Sequence, residues 1–201
     1  MTKTEKGMEP PATPRLPDDF RAVGRYVVPS LGITVGLTWN ATGGNMQMIA
    51  GAEGDPVHFT NVIQDGALYT LTYAFPDIPR NPCSQVGAFS LADLNDHLTR
   101  ASFVGTEILA DNPDRRVHHF RACAAVEPPP GLIPPIPGLP VLRLPLMAGD
   151  IYVDVTDASK WWRVLHFGLQ NAYAPDLDEW ILLDEFEHVP GEVSLPDGCR
   201  A

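Results

Sequence analysis

A chain of 201 residues with 44% hydrophobic and 19% charged side chains carries enough apolar material for the core of one domain. Its formal net charge of −11 excludes nucleic acid as a default partner, because a polyanion repels it, and disfavours docking on anionic lipid heads. No stretch has the length and apolarity of a transmembrane helix.

Residues 1–19 are polar and contain Pro10, Pro11, Pro14 and Pro17. They cannot bury enough apolar area to offset the entropy of ordering, so a disordered proline-rich tail is expected, followed by a single β-rich domain over 20–201. No apolar run follows the lysines of this tail, so a secretory signal peptide is not expected within the chain and the compartment stays open.

Extended segments begin at Arg25–Pro29 and Ile33–Trp39, rich in Val, Ile and Thr. The turn signal ATGGN precedes Asn45–Ala50, and GAEGDP precedes Val57–Ile63. Asp65-Gly66 is the dipeptide favoured in a tight hairpin turn. The strand after it places Tyr69, Leu71, Tyr73 and Phe75 on one face and Leu68, Thr70, Thr72 and Ala74 on the other. One face is heavy and aromatic, the other lighter.

Ser90–Ala101 breaks the alternation. Ser90 can cap, Asp93 follows three residues later, and Leu91, Leu94 and Leu98 share one stripe, so an amphipathic helix is predicted. Extended patterns return at Ser102–Leu109, Arg116–Val126, Ile151–Thr156, Trp161–Leu169 and Glu179–Val189. The expectation is a mainly antiparallel β architecture with one helix. The segment 127–150 combines many prolines with Leu, Ile, Val and Met. Proline opposes a central strand there, and the apolar residues oppose a solvated linker, so an arm or lid packed on the domain or on a partner is expected.

Cys83, Cys123 and Cys199 lack Cys-x-x-Cys spacing, which argues against structural zinc. One disulfide with one free thiol and three reduced thiols both fit the odd count. His118 and His119 adjoin in a strand and must face opposite sides, an awkward arrangement for one metal; the expected role is structural. Asp176, Asp178 and Glu179 form an acidic loop in which a hard cation such as calcium could find oxygen ligands, with a solvated loop as the competing reading. Asp184, Glu185, Glu187 and His188 read as a wet face with cross-strand partners such as Arg163 or Arg121 rather than as acid–base groups. Trp161 and Trp162 must point to opposite faces. Phosphate-binding glycine loops, Gly-x-Ser-x-Gly and His-Glu-x-x-His are absent, so catalysis is not expected.

From Gln64 onward the order of features resembles the ependymin-related proteins. It runs from the Asp65–Leu71 strand to Cys83 after a proline-containing turn, then to the leucine-rich helix at Leu91–Leu98 and the segment Phe103–Leu109. A basic strand at Arg115–Phe120, Tyr152–Asp157 leading into Trp161–Phe167, the acidic-aromatic strand Asp184–Val189 and a late Cys199 complete it. The resemblance implies two stacked, curved antiparallel sheets in a half-barrel similar to lipoprotein carriers, enclosing a hydrophobic pocket. It also implies secretion, calcium in some members, and a disulfide between Cys83 and Cys199 with Cys123 as the odd thiol.

The expected function is therefore non-enzymatic binding of a hydrophobic or amphipathic, lipid-like ligand in a concave pocket. Strand parity and aromatic content nominate Tyr69, Leu71, Tyr73, His119, Trp162 and Phe167 as its lining. The alternative is a structural or assembly protein whose proline-rich arm and N-terminal tail contact other subunits or a protein partner.

Overall fold

The computed structural model describes residues 11–74, 81–126, 144–167, 178–196 and 199. Among them, alternating apolar segments form strands β1 Phe20–Val28, β2 Ile33–Thr42, β3 Asn45–Ala50, β4 His58–Gln64, β5 Ala67–Ala74 and β6 Asn81–Ala88. Helix α1, Leu91–Leu98, precedes β7 Ser102–Leu109, β8 Asn112–Val126, β9 Leu144–Asp154, β10 Trp161–Phe167 and β11 Asp178–Glu187. All neighbours pair antiparallel in the order β6-β5-β4-β3-β2-β1-β11-β10-β9-β8-β7. The mainly β fold with one helix is thus as expected, but the described strands form one continuous open sheet rather than two stacked sheets. The reason is the pairing of β1 with β11, which joins the N-terminal meander to the C-terminal one.

The sheet curls. Laid flat, its two edge strands would stand about 48 Å apart at ~4.8 Å per strand. Phe89–Ala101 connects those edges, and with eight residues coiled into α1 it spans only about 30 Å. Curvature is also visible in the core. Trp39 of β2 meets Trp161 of β10 edge to face at 5.7 Å, although β1 and β11 lie between them. Phe20 packs on Trp39 at 5.5 Å and on Phe186 at 5.1 Å. Gly24 sits at the irregularity where β1 meets β11, and a Cβ there would collide with the Leu182 carbonyl.

Helix α1 packs its apolar stripe into the core. Ser90 and Asp93 form a reciprocal capping box, with Ser90 N–H donating to Asp93 at 2.8 Å and Asp93 N–H to Ser90 Oγ at 3.1 Å. Leu91, Leu94 and Leu98 all enter the core. The N-terminal segment departs from expectation over its described part. Asn95 clasps the Leu16 backbone from both sides, accepting from its N–H at 2.8 Å and donating to its carbonyl at 2.9 Å. Trp161 Nε1 donates to the Arg15 carbonyl, and Leu16 is fully buried. A polar sequence docks here because a single leucine and backbone hydrogen bonds suffice to seat it.

Two other departures involve proline. Pro82 and Cys83, expected at the end of a proline-containing turn, lie in edge strand β6, Asn81–Ala88, and an edge is where a strand tolerates proline. Residues 144–150, expected within the arm, belong to β9, and Pro145 enters the ladder at a register shift beside Ala125. The rest of the expected arm, 127–143, lies outside the described residues.

The Asp65–Gly66 hairpin is as read. Both residues adopt positive φ, 52° and 76°, as a two-residue turn of this kind requires. After β11 the chain crosses the back of the sheet. Gly191 N–H donates to the Ala41 carbonyl at 2.9 Å, and Asn40 donates to the Glu192 carbonyl at 3.3 Å. Gln47 donates to the Ser194 carbonyl at 2.9 Å, and Cys199 forms a disulfide with Cys83 of β6. The bridge closes 116 residues, so it removes a large share of unfolded-state freedom. Among the described residues, no helix is long and apolar enough to cross a membrane.

Leu16→Ala is expected to lower unfolding stability by about 2–4 kcal/mol in urea titration, the cost of an unfilled core site. An unchanged midpoint would mean that residues 11–19 contribute nothing to the fold.

Candidate functional site

Residues directly opposite each other in an antiparallel ladder share a face, so register assigns every side chain. One row runs Phe20, Ala41, Met46, Ile63, Leu68; the next runs Ala22, Trp39, Met48, Asn61, Thr70; a third runs Gly24, Leu37, Ala50, Phe59, Thr72. These rows form the concave face and contain the aromatic core. On β1, β10 and β11 the concave apolar residues, among them Tyr26, Val28, Val164 and Ile181, are buried. On β3–β5 the concave residues Met48, Phe59, Asn61, Leu68, Thr70 and Thr72 stay partly exposed. Among the described residues, this part of the concave face is therefore only partly covered. It is apolar at Met48, Phe59 and Leu68 and polar at Asn61 and Thr70, whose hydroxyl donates to Asn61 Oδ1 at 2.6 Å.

A buried acid borders this wall. Glu179 shares the concave side of β11 with Ile181 and is only 8% exposed. Burial raises its carboxyl above the ordinary value, and the hydrogen bond from the Tyr26 hydroxyl partly offsets that. Tyr26 is raised strongly by its own burial, then by the Glu179 charge and the bond to it, so it stays a neutral donor. The Tyr26 ring meets Phe59 edge to face at 5.1 Å, which connects the acid–phenol pair to the open wall.

The convex face carries a separate polar group. His119 Nδ1 lies 3.0 Å from Glu107, and its ring stacks on Tyr152 at 4.4 Å. Its Nε2 stands 2.9 Å from Asp150, off the ideal hydrogen-bonding line. Arg121 clasps Asp150 with Nε at 2.9 Å and a second nitrogen at 3.3 Å. Burial would raise Asp150, but the Arg121 and His119 contacts outweigh it and hold the carboxyl below its ordinary value. Arg163 pairs with Asp111. Positive and negative groups balance, and no serine or cysteine nucleophile adjoins His119 among the described contacts, so the cluster is a brace. Ser159, Asp157 and His188 also adjoin, but His188 turns the same Nε2 toward both partners and Ser159 donates to Asp157. That is not a relay geometry.

The nominated lining residues lie elsewhere. Tyr69 opposes Val62 and Leu71 opposes Thr60, which puts Tyr69, Leu71 and Tyr73 on the convex side, backing the wall instead of lining it. His119 is in the convex brace. Trp161 and Trp162 do face opposite sides, with Trp161 in the core; Trp162 is covered by Arg115 at 3.7 Å and Lys160 at 4.7 Å. Phe167 pairs through its backbone with Asp178, and the side chains of both lie outside the described residues, as does Asp176. Glu179 belongs to a strand rather than to a cation loop, and among the described residues no group of three or more potential ligands gathers to hold a metal. Asp184 pairs with Arg25, not with Arg163 or Arg121. The lighter face of β5, Leu68, Thr70 and Thr72, is the one that turns to the concave side, where it stays partly exposed.

Compared with known protein families and with curated proteins, the chain matches no family model and no curated protein.

Asp150→Asn is expected to cost about 1–3 kcal/mol at pH 7, read by urea titration. A lowered folded-state pKa contributes stability above the ordinary value of 3.8 that is lost as the pH falls through the lowered one. The gap between the two proteins should therefore close below that range, and a gap constant with pH would contradict the ion-pair account.

Proposed function

We propose that this protein holds a largely apolar, amphipathic small molecule against the concave wall of β3–β5, without chemistry. One observation supports this best: Met48, Phe59 and Leu68 point inward yet remain partly exposed, while the described concave apolar residues of β1, β10 and β11 are buried. Apolar surface left hydrated on an inner wall costs about 25 cal/mol per Å², which an apolar guest recovers on binding. The polar strip of Asn61 and Thr70 suits a guest with one polar end. The resemblance to ependymin-related proteins belongs with this reading, as does a binding rather than a catalytic role.

The uncharged dye Nile red is expected to brighten on binding the wild-type protein. Leu68→Trp and Met48→Trp, which fill the wall, should weaken binding about tenfold or more while leaving the unfolding midpoint near wild type. A wild-type protein that binds no dye, or variants that bind it equally well, would remove the proposal.

An assembly role has one observation in its favour. Edge strand β7 exposes Phe103, Val104 and Ile108 by 43%, 52% and 61%. An unpaired apolar edge is a template for another strand. If it operates, sedimentation will show an oligomer that Val104→Lys with Ile108→Lys converts to monomer; a wild-type monomer at high concentration rules it out.

A further inference from the structure

The two edges of the sheet differ. Strand β6 is blunted: Pro82 has no N–H to offer a further strand, and Cys83 carries the bridge to Cys199. Strand β7 contains no proline, lysine or arginine. Its single charge, Glu107, is engaged with His119 at 3.0 Å on the convex side. Of the six exposed large hydrophobic side chains among the described residues, three belong to this one strand, Phe103, Val104 and Ile108, so the apolar exposure concentrates on this edge. The ladder from β7 to β8 is regular over Gly105–Ile108 and shifts register on either side of it.

Charge bears on what pairs there. Residues 102–121 hold Glu107, Asp111 and Asp114 against Arg115, Arg116 and Arg121, three of each, so this hairpin is neutral and the whole net charge of −11 lies outside it. Two copies repel each other through the rest of their surfaces, and at this hairpin they meet without adding to that repulsion. A neutral edge does not select a charged partner. It suits a strand low in charge, free of proline and rich in β-branched or aromatic residues, and β7 itself answers that description. Resting on the assembly reading above, we infer that the occupant of this edge is β7 of a second copy, paired antiparallel across a two-fold axis. Pairing of a strand with its own copy generates that axis, and the blunted β6 offers no site for growth beyond two, so the assembly is a closed dimer. Its regular ladder of four residues, Gly105–Ile108, is short, which sets the expected affinity at about micromolar.

Sedimentation velocity of the full chain over a concentration series tests this, with the unfolding midpoint as the control for folding. Wild type should form a dimer and nothing larger. Two double variants, Val104→Lys with Ile108→Lys and Val104→Glu with Ile108→Glu, should each weaken the dimer about tenfold or more, since like charges then meet across the axis. An equal mixture of the two should bring the affinity back to within about threefold of wild type, and about 1 M salt should remove that gain. A mixture no tighter than either variant alone overturns the inference while the assembly reading stands, because β7 would then face some other surface. Oligomers that grow beyond two overturn it in the same way. A wild-type monomer at high concentration defeats the assembly reading itself. If a double variant fails to fold, Ile108→Lys and Ile108→Glu alone take its place, and the same mixture is read.

Discussion

One short connection governs the shape of this protein. The chain must pass from edge strand β6 to the opposite edge β7 through Phe89–Ala101, and eight of those residues are wound into a helix. A flat sheet would put the edges beyond its reach. The sheet therefore curls, and the connection that forces the curl also supplies the plug, through Leu91, Leu94 and Leu98. Twist inherent in antiparallel strands makes the curl inexpensive, and the irregularity at Val23/Gly24 lets β1 turn into β11 without a steric clash.

A single curled sheet has two faces to protect, and each is handled differently. The concave face near α1 holds the aromatic core of Phe20, Trp39, Trp161 and Phe186. On the convex face, the chain after β11 lies across β2 and β3 and is tied to β6 by the Cys83–Cys199 bridge. Beneath this strap Gln47 and Val62 are buried although they point away from the core. Over β7–β10 the convex face is instead covered by ion pairs and stacked rings, with His119, Asp150, Arg121 and Tyr152 at the centre. The strap and the brace are both stabilising devices. Among the described residues, the concave side of β3–β5 is where inward-facing apolar side chains stay partly exposed.

The aromatic strand Tyr69–Tyr73 shows how a correct period can still mislead. Alternation was legible and the strand is where it was expected. Which face turned inward was not, because both faces of a strand become partly buried when a strap covers the back. Aromatic content then pointed to the convex side. His119 instead faces the ion-paired convex side of β8, and Trp162 is buried under cations, Arg115 from remote β8 and Lys160 from the turn just before it. The pairing of Glu179 with Tyr26 joins positions far apart in the chain and has no local signature.

By itself the sequence determined what depends on neighbours along the chain. That includes the alternation of most strands, the tight turn at Asp65–Gly66, the Ser90 capping box and the leucine stripe of α1, all set by backbone sterics and periodicity. Tertiary structure alone decided what depends on long-range pairing: one sheet instead of two, the docking of Leu16 against Asn95, and the inward face of β5. These follow from the β1–β11 ladder and from the closure through Phe89–Ala101, in which strands remote in sequence choose their partners by register and shape.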